Sequence, residues 1–109
     1  MKIISIHKQE PYYSMVINGL KTVEGRLNKG IFAELEIGDV LMMRPENKKF
    51  QVTGKRQYKT FREMLEAEGV KNVLPDKNNI EEATKVYKNF YKESEENRYG
   101  VLAIRIKRM

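Results

Sequence analysis

The chain contains no cysteine, and its only histidine is His7. Without cysteine it can form no disulfide, no thiolate zinc site and no cysteine nucleophile. One histidine cannot complete a nitrogen or sulfur shell, so we expect neither a metal nor a cofactor. No apolar run approaches the roughly 20 residues of a membrane span, and the N-terminal apolar run is too short for a signal peptide. We therefore expect a soluble, cytoplasmic protein without a membrane partner.

Several widespread catalytic motifs are also missing. The 109 residues contain no Gly-rich phosphate loop, no G-x-S-x-G and no paired-carboxylate glycosidase signature. This length accommodates one domain, over residues 1–109, and is too short for two. The sequence says nothing about the oligomeric state.

Positive charge is what the chain has in excess. It carries 21 Lys and Arg residues against 15 Asp and Glu residues, a net charge of +6. That balance is typical either of a protein that binds a polyanion, nucleic acid first, or of a lysine-rich surface that serves solubility. Basic residues dominate between Arg44 and Arg62, and acidic residues are concentrated between Glu63 and Glu96. The charge is therefore lopsided along the chain.

Hydrophobic periodicity predicts eight elements in the order strand, helix, strand, strand, strand, helix, helix, strand. The strands are predicted over residues 2–7, 22–27, 40–44, 50–58 and 99–107. The first helix begins at Pro11 and ends at Gly19, a residue suited to a left-handed C-terminal cap. This order is not the regular alternation of a parallel doubly wound sheet. It predicts a mixed α+β fold with a small, mostly antiparallel curved sheet or barrel.

Two capping patterns place the later helices. Thr60 with Glu63, and Asn79 with Glu82, have the spacing of a capping box. The helix after Thr60 is expected to stop at Gly69. Two helical faces are predicted to be apolar: Tyr12, Met15, Val16 and Leu20 in the first helix, and Ile80, Ala83, Val86, Tyr87, Phe90 and Tyr91 in the last.

The stretch GLKTVEGRL, residues 19–27, holds the main candidate site. Glu24 and Arg26 are two apart on a predicted strand, so they share a face about 6.5–7 Å apart along the chain. Lys21 lies at a helix–strand junction, which can point its side chain into a cleft. A desolvated lysine has a lowered pKa and can act as a base or nucleophile beside a proton-carrying carboxylate. The alternative is a surface salt bridge from Glu24 to Lys21 or Arg26, worth under about 1 kcal/mol.

Aromatic residues lie near basic ones in two parts of the chain. Base stacking on aromatic rings together with phosphate contacts is how proteins hold unpaired RNA. Tyr58, next to Lys59, is expected to be exposed, whereas Tyr12 can equally belong to the core. The candidate ligand-binding residues are Arg26, Tyr12, Tyr58, Lys55, Arg56 and Lys59.

The stretch SIHKQEPYYSMVINGLKTVEGR, residues 5–26, resembles the start of an ASCH domain, the activating-signal-cointegrator homology domain. The G-x-K-T-x-E-x-R part of that pattern is met in full by Gly19, Lys21, Thr22, Glu24 and Arg26. Further along, LEIGDVLMM and RYGVLAIRIK resemble a later strand entry and the final strand of the family. The resemblance thus extends over nearly the whole chain.

This resemblance implies a PUA-like fold, a small mixed or antiparallel β-barrel flanked by helices, with a cleft for RNA or nucleotide-like ligands near the motif. Some relatives hydrolyse N4-acetylcytidine to cytidine with a lysine, a threonine and a later glutamate, and others are ribonucleases. Lys21 matches that lysine. Glu24 stands at the threonine position, and Thr22 lies two residues away on the same predicted face. The later glutamate corresponds to Glu66 or Glu68.

Three functions are therefore left open by the sequence. The first is binding of RNA or a modified nucleoside in a cleft formed by Lys21, Glu24 and Arg26. The second is an enzyme, an amidohydrolase or a ribonuclease, in which Lys21, Thr22 and Glu24 are catalytic. The third is a protein-interaction domain whose motif only stabilises the barrel.

Overall fold

The computed structural model describes all residues from 1 to 109. The strands are β1 (Ile3–His7), β2 (Val23–Leu27), β3 (Val40–Arg44), β4 (Lys48–Tyr58) and β5 (Val101–Arg108). The helices are α1 (Tyr12–Ile17), α2 (Gly30–Ala33), α3 (Phe61–Glu68), α4 (Val70–Val73), α5 (Ile80–Lys88) and α6 (Glu93–Tyr99). None of the helices combines the length and the apolar character needed to cross a membrane.

All five strands belong to one sheet with the order β1-β3-β4-β5-β2, so β1 and β2 are its two edges. β1 pairs with β3 in parallel, and every other neighbouring pair is antiparallel. The sheet is curled into a half-barrel accompanied by six helices. This confirms the predicted α+β class with a small, mostly antiparallel curved sheet. Because the half-barrel does not close, its edges β1 and β2 are not paired with each other.

Strand β5 is buried on both sides because it separates two hydrophobic clusters. Ile104 and Ile106 face the first cluster, where side chains of β1, β3 and β4 meet α1. Val101 and Ala103 face the second cluster, where β2 meets α3, α4 and α5. We call these the inner and outer sides of the sheet. The helices of the second cluster cover the outer side near β2, the first half of β5 and the end of β4.

Both predicted capping boxes provide their expected N-caps. The Thr60 hydroxyl accepts a hydrogen bond from the Glu63 backbone N–H at 3.0 Å, and the Asn79 side-chain oxygen accepts one from the Glu82 N–H at 2.9 Å. Each bond satisfies one of the backbone donors that the first turn of a helix leaves free. α3 ends at Glu68, directly before Gly69, as predicted.

The predicted apolar face of the first helix was partly wrong. α1 ends at Ile17, and Gly19 takes the left-handed conformation with φ +78°. The chain therefore leaves the helix before Leu20, which is 60% exposed. Tyr13 and Val16 are the α1 residues that enter the core. The helix is one turn too short for an i+8 contact to form.

The C-terminal third also departs from the prediction. α5 ends at Lys88, so Phe90 lies beyond the helix and is 73% exposed instead of being part of a buried stripe. The sequence analysis missed α4 and α6. Tyr99 was assigned to the last strand but ends α6, and β5 starts at Val101 after Gly100 with φ +75°. α6 has no buried residue, so it lacks the apolar periodicity by which a helix is recognised.

Candidate functional site

The gap between the edge strands β1 and β2 contains a cavity of about 220 Å³. Its walls come from the end of β1, from α1, from β2, and from the end of α5 with the loop that follows it. The lining residues are His7, Lys8, Gln9, Tyr12, Lys21, Glu24, Gly25, Arg26, Leu74, Val86, Tyr87, Phe90 and Tyr91. Three residues of the family-like motif, Lys21, Glu24 and Arg26, therefore lie around one cavity.

The position of Lys21 follows from the way in which α1 ends. The backbone N–H groups of Leu20 and Lys21 both donate to the Met15 carbonyl, at 2.9 and 3.0 Å. This turn directs the Lys21 side chain inward, where only 3% of the residue is exposed. Its ammonium donates to the backbone carbonyls of Val23, at 2.8 Å, and Val73. The lysine thus ties the start of β2 to α4.

Burial lowers the pKa of Lys21 to about 8, and the positive charges of Lys8 and Arg26 add to the effect of burial. The negative charge of Glu24 acts in the opposite direction but does not restore the ordinary value. At neutral pH the lysine is mostly protonated, but part of the population is neutral. The lowered pKa is the change that a base or nucleophile needs.

Glu24 is brought into the cavity by the pairing of β2 with β5. Glu24 lies opposite Ile104, so it points to the inner side of the sheet, and only 2% of the residue is exposed. Burial alone would raise the pKa of Glu24, but the charges of Lys21, Lys8 and Arg26 outweigh it and lower the pKa to about 2. The carboxyl group is therefore ionised at any physiological pH.

The ion pairs of Glu24 are made by residues other than Lys21. The Lys8 ammonium lies 2.8 Å from Glu24 Oε1 and donates a hydrogen bond to Oε2 at 3.2 Å. The Arg26 guanidinium lies 3.7 Å from Oε2. Oε1 has a close positive charge but no aligned hydrogen-bond donor, and it is the one buried side-chain atom that lacks such a partner. A buried acceptor without an aligned donor is costly, and the charge of the Lys8 ammonium, 2.8 Å from Oε1, offsets that cost.

Gly25 allows α5 to approach this part of β2. A Cβ atom at position 25 would lie 2.6 Å from Tyr87 Oη and 2.7 Å from Met64 Cε, closer than real atoms approach. Tyr87 in turn stacks on Phe61, with ring centroids 4.1 Å apart. The absence of a side chain between Glu24 and Arg26 therefore sets the back wall of the cavity.

Aromatic rings make up much of the remaining wall. The ammonium groups of Lys8 and Lys21 lie 5.9 and 5.8 Å from the centre of the Tyr12 ring, within cation–π range. Burial and the Asp76 carboxylate raise the pKa of Tyr12 to about 12, so its hydroxyl stays neutral. Phe90, the exposed aromatic residue that follows α5, lies at the same cavity.

The other predicted site residues lie elsewhere. Thr22 is exposed and does not line the cavity. The Lys55 ammonium donates to the carbonyls of Ala33 and Leu35, at 2.7 and 2.8 Å, and so anchors α2. Tyr58 was expected to be exposed, but it is half-buried against the second hydrophobic cluster, and its hydroxyl donates to Glu68. Together with Lys59 it borders a separate open depression beside α6. Arg56 is exposed on β4.

Neither glutamate proposed as a third catalytic residue lines the cavity. Glu66 is exposed and pairs with Arg62 at 3.4 Å. Glu68 is buried, and its oxygens accept hydrogen bonds from Arg105 and Tyr58. No three His, Asp or Glu side chains form a group that could hold a metal ion.

Of the cavity residues that were not candidates in the sequence analysis, Lys8 and Phe90 are the two on which the site argument depends. Lys8 directly follows β1, and it forms an ion pair with Glu24 of β2. This ion pair depends on β1 and β2 facing each other across the gap, which no local sequence pattern reveals. Phe90 was assigned to the core by its spacing from Tyr87. Lys88 and Asn89, the two residues before Phe90, gave a signal that the sequence analysis did not use. Polar residues at these positions are compatible with the end of a helix.

The mixed α+β half-barrel fold agrees with the result of the family comparison. The model of the ASCH domain matches residues 6–109. The chain belongs to the ASCH domain family, which is generally of an RNA-binding type.

Two solved structures are similar to the chain over almost its entire length. The crystal structure of the hypothetical protein PH0355 is 41% identical, has a TM-score of 0.92, and is covered in full, as is this chain. The solution NMR structure of protein PF0455 from Pyrococcus furiosus is 38% identical, has a TM-score of 0.85, and the match covers 98% of this chain and 97% of that one. No curated protein gives a significant match.

Proposed function

We propose that the protein binds RNA or a modified nucleoside by seating one base in the cavity between β1 and β2. The observation that carries this proposal is the buried Glu24 carboxylate, which lines the cavity among three cations and whose Oε1 accepts no aligned hydrogen bond, although the Lys8 ammonium lies 2.8 Å away. An exocyclic amine of a base can supply that donor. The cations Lys8, Lys21 and Arg26 outnumber the single carboxylate, so the rest of the ligand should be rich in acceptors or negatively charged.

The size of the cavity supports a small ligand. Its volume of about 220 Å³ is below the roughly 300–1,000 Å³ of sites for drug-sized molecules. Tyr12 and Phe90 offer ring faces for stacking, and stacking tolerates any base. Specificity for one base therefore has to come from the charged residues of the cavity. Glu24 can accept a hydrogen bond from the base, and Arg26 and the two lysines can donate hydrogen bonds to it.

Isothermal titration calorimetry with cytidine, adenosine, guanosine and uridine tests this proposal. We expect the bases that carry an exocyclic amine to bind about tenfold or more tightly than uridine, because uridine offers the Glu24 carboxylate only its ring N3–H and no exocyclic amine. Glu24→Gln should remove the preference for bases with an exocyclic amine. Glu66→Gln makes the same replacement of a carboxylate by an amide at an exposed residue outside the cavity, and it should keep the preference. Equal binding of all four nucleosides, or binding by none of them and by no short RNA, would overturn the proposal.

A second function, amide hydrolysis of N4-acetylcytidine, is favoured by one observation, the pKa of about 8 at Lys21. In this mechanism neutral Lys21 takes a proton from water, the resulting hydroxide attacks the acetyl carbonyl, and the C–N bond breaks. Lys21 then returns the proton to the leaving amine, which gives cytidine and acetate. Glu24 cannot serve as the acid because its pKa is about 2, so its role is to hold the exocyclic N–H.

Incubation with N4-acetylcytidine and chromatographic detection of cytidine tests this second function. The rate should rise with pH through about 8, as the neutral amine becomes populated. Turnover that persists in Lys21→Ala, at a temperature where the variant is shown to be folded, excludes this mechanism. Thr22→Ala serves as the comparison, because Thr22 lies outside the cavity and its loss should leave the rate unchanged.

A further inference from the structure

The outer side of the sheet carries an uneven distribution of charge. The strands β1, β3, β4 and β5 contain no Asp or Glu at all. On the inner side they present mostly buried apolar residues, with Lys55 inside β4 as the exception, so their other charged residues lie on the outer side and at the strand ends. We call the outward basic residues of β3, β4 and β5 the basic face: Arg44, Lys49, Arg56, Arg105 and Lys107.

The basic face is open to solvent and largely unpaired. All five of its residues are exposed. Arg105 pairs with Glu68 at 2.9 Å, and the other four make no ion pair with any carboxylate. Exposed acids are concentrated instead on the helices, at Glu63, Glu66, Glu81, Glu82 and Glu93. The positive and negative charges thus occupy different parts of the surface, as expected of a surface that attracts a polyanion.

The register of the sheet makes the basic face continuous with the cavity. His7 lines the cavity and is the last residue of β1, where its partner on β3 is Arg44. One step further across the sheet, Lys49 lies opposite Met42. On β5, Lys107 lies opposite Gln51. Neighbouring strands are about 4.8 Å apart, and residues two apart on one strand are about 6.6 Å apart. A diagonal path therefore leads from the cavity to Lys107 across three pairs of neighbouring strands.

We infer that the basic face holds the backbone of a single-stranded RNA of which one base occupies the cavity. This inference rests on the proposed function, since it assumes that the cavity takes a base. Lysine and arginine side chains on an open sheet contact phosphates without regard to sequence, whereas the cavity selects the base. Lys55, which binds the carbonyls of Ala33 and Leu35, takes no part in this path.

The salt dependence of binding separates this path from a general charge effect. The probe is a fluorescently labelled eight-nucleotide single-stranded RNA that contains the base preferred by calorimetry. Its affinity is measured by fluorescence anisotropy from low to high salt. The test variant is Lys49→Gln with Lys107→Gln. The matched control is Lys85→Gln with Lys88→Gln, two exposed lysines of α5 that make no ion pair, so both double variants lose the same net charge.

We expect the slope of log affinity against log salt to become shallower by roughly 1.4 in Lys49→Gln with Lys107→Gln, since each lost phosphate contact on a single strand removes about 0.7. The control should keep the slope of the unchanged protein. Nucleoside affinity should be the same in all three proteins. The same RNA annealed into a duplex should bind more weakly, because its bases are not free to enter the cavity.

The outcomes distinguish the two levels of the proposal. If nucleosides bind but the slope changes equally in both double variants, or in neither, the path is wrong and the cavity proposal stands. If neither nucleosides nor RNA bind, both fail. If the test variant alone changes the slope but Glu24→Gln leaves RNA affinity untouched, the face binds RNA without the cavity, and a strand shared between the two is ruled out.

Discussion

The protein contains two buried glutamates, Glu24 and Glu68, and their surroundings differ in one decisive respect. Each lies beside an arginine and near a tyrosine. Both oxygens of Glu68 accept a hydrogen bond, from Arg105 Nε at 2.9 Å and from the Tyr58 hydroxyl. Glu24 has three cations around it, and although the Lys8 ammonium lies 2.8 Å from Oε1, that oxygen accepts no aligned hydrogen bond. A saturated carboxylate such as Glu68 holds the fold together, whereas Glu24 has bonding capacity left for a ligand.

The largest expected effect comes from neutralising each glutamate in turn. Glu24→Gln leaves Lys8, Lys21 and Arg26 without a compensating charge and should lower the free energy of unfolding by about 3–5 kcal/mol. Glu68→Gln should cost about 1–3 kcal/mol, because its arginine partner is half exposed and can be solvated. Urea unfolding monitored by circular dichroism measures both. Nucleoside binding should weaken only in Glu24→Gln, and an equal loss of binding in Glu68→Gln would remove the distinction drawn between the two sites.

The pH dependence of stability should reveal Glu24 as well. Its pKa falls from 4.5 to about 2 on folding, so the unfolded chain binds the proton more readily. Its contribution is complete above about pH 4.5 and is lost as the pH falls through 2, by about 3 kcal/mol at most. The difference in unfolding free energy between the unchanged protein and Glu24→Gln should therefore shrink from pH 5 to pH 2. A difference that stays constant would show that the carboxylate is not stabilised by its cations.

Phe90→Ala should separate binding from stability. The ring is 73% exposed, so its removal should change the free energy of unfolding by less than about 0.5 kcal/mol. Loss of a stacking ring should weaken nucleoside binding by roughly 5- to 100-fold. Ile37→Ala, at a residue that is also well exposed but outside the cavity, is the control for both measurements. If calorimetry finds the same nucleoside affinity in Phe90→Ala as in the unchanged protein, the ligand does not stack on the Phe90 ring.

The smallest effect is expected for Tyr58→Phe, which removes one hydrogen bond to Glu68. The loss should be about 1 kcal/mol of stability, with nucleoside affinity unchanged. Thermal unfolding and calorimetry on the same preparation measure the two quantities. Tyr58 was a candidate for base stacking in the sequence. Because phenylalanine keeps the ring, weaker nucleoside binding in this variant would assign a part in binding to the hydroxyl and its bond to Glu68 rather than to stacking.

The sequence predicted those features whose cause is local. Thr60 and Asn79 each bond a backbone N–H three residues away, so the pattern contains the whole interaction. The alternation of β2 correctly placed Glu24 and Arg26 on one face, and both line the cavity. Gly19 ends α1 because of its own backbone conformation. Each of these requires knowledge of only a few neighbouring residues.

The features that the sequence did not predict depend on distant parts of the chain. Lys8 reaches Glu24 only because the half-barrel brings its two edges towards each other. The end of α5 at Lys88 has no glycine or proline to mark it, so periodicity carried the predicted stripe on to Phe90. The short helices α4 and α6 are too small or too polar to show an apolar period. Whether Lys21 is buried could not be decided locally either, because one of its two carbonyl partners, Val73, is 52 residues away.

The unclosed sheet has a consequence for how the protein behaves at high concentration. Unpaired strand edges invite other chains to add strands, and inward-pointing charges are one of the ways in which proteins prevent it. Lys8, Glu24 and Arg26 occupy the opening between the two edges of this sheet. The same side chains that make the opening suitable for a ligand therefore protect it against aggregation, and a variant with an apolar residue at position 24 should be prone to self-association.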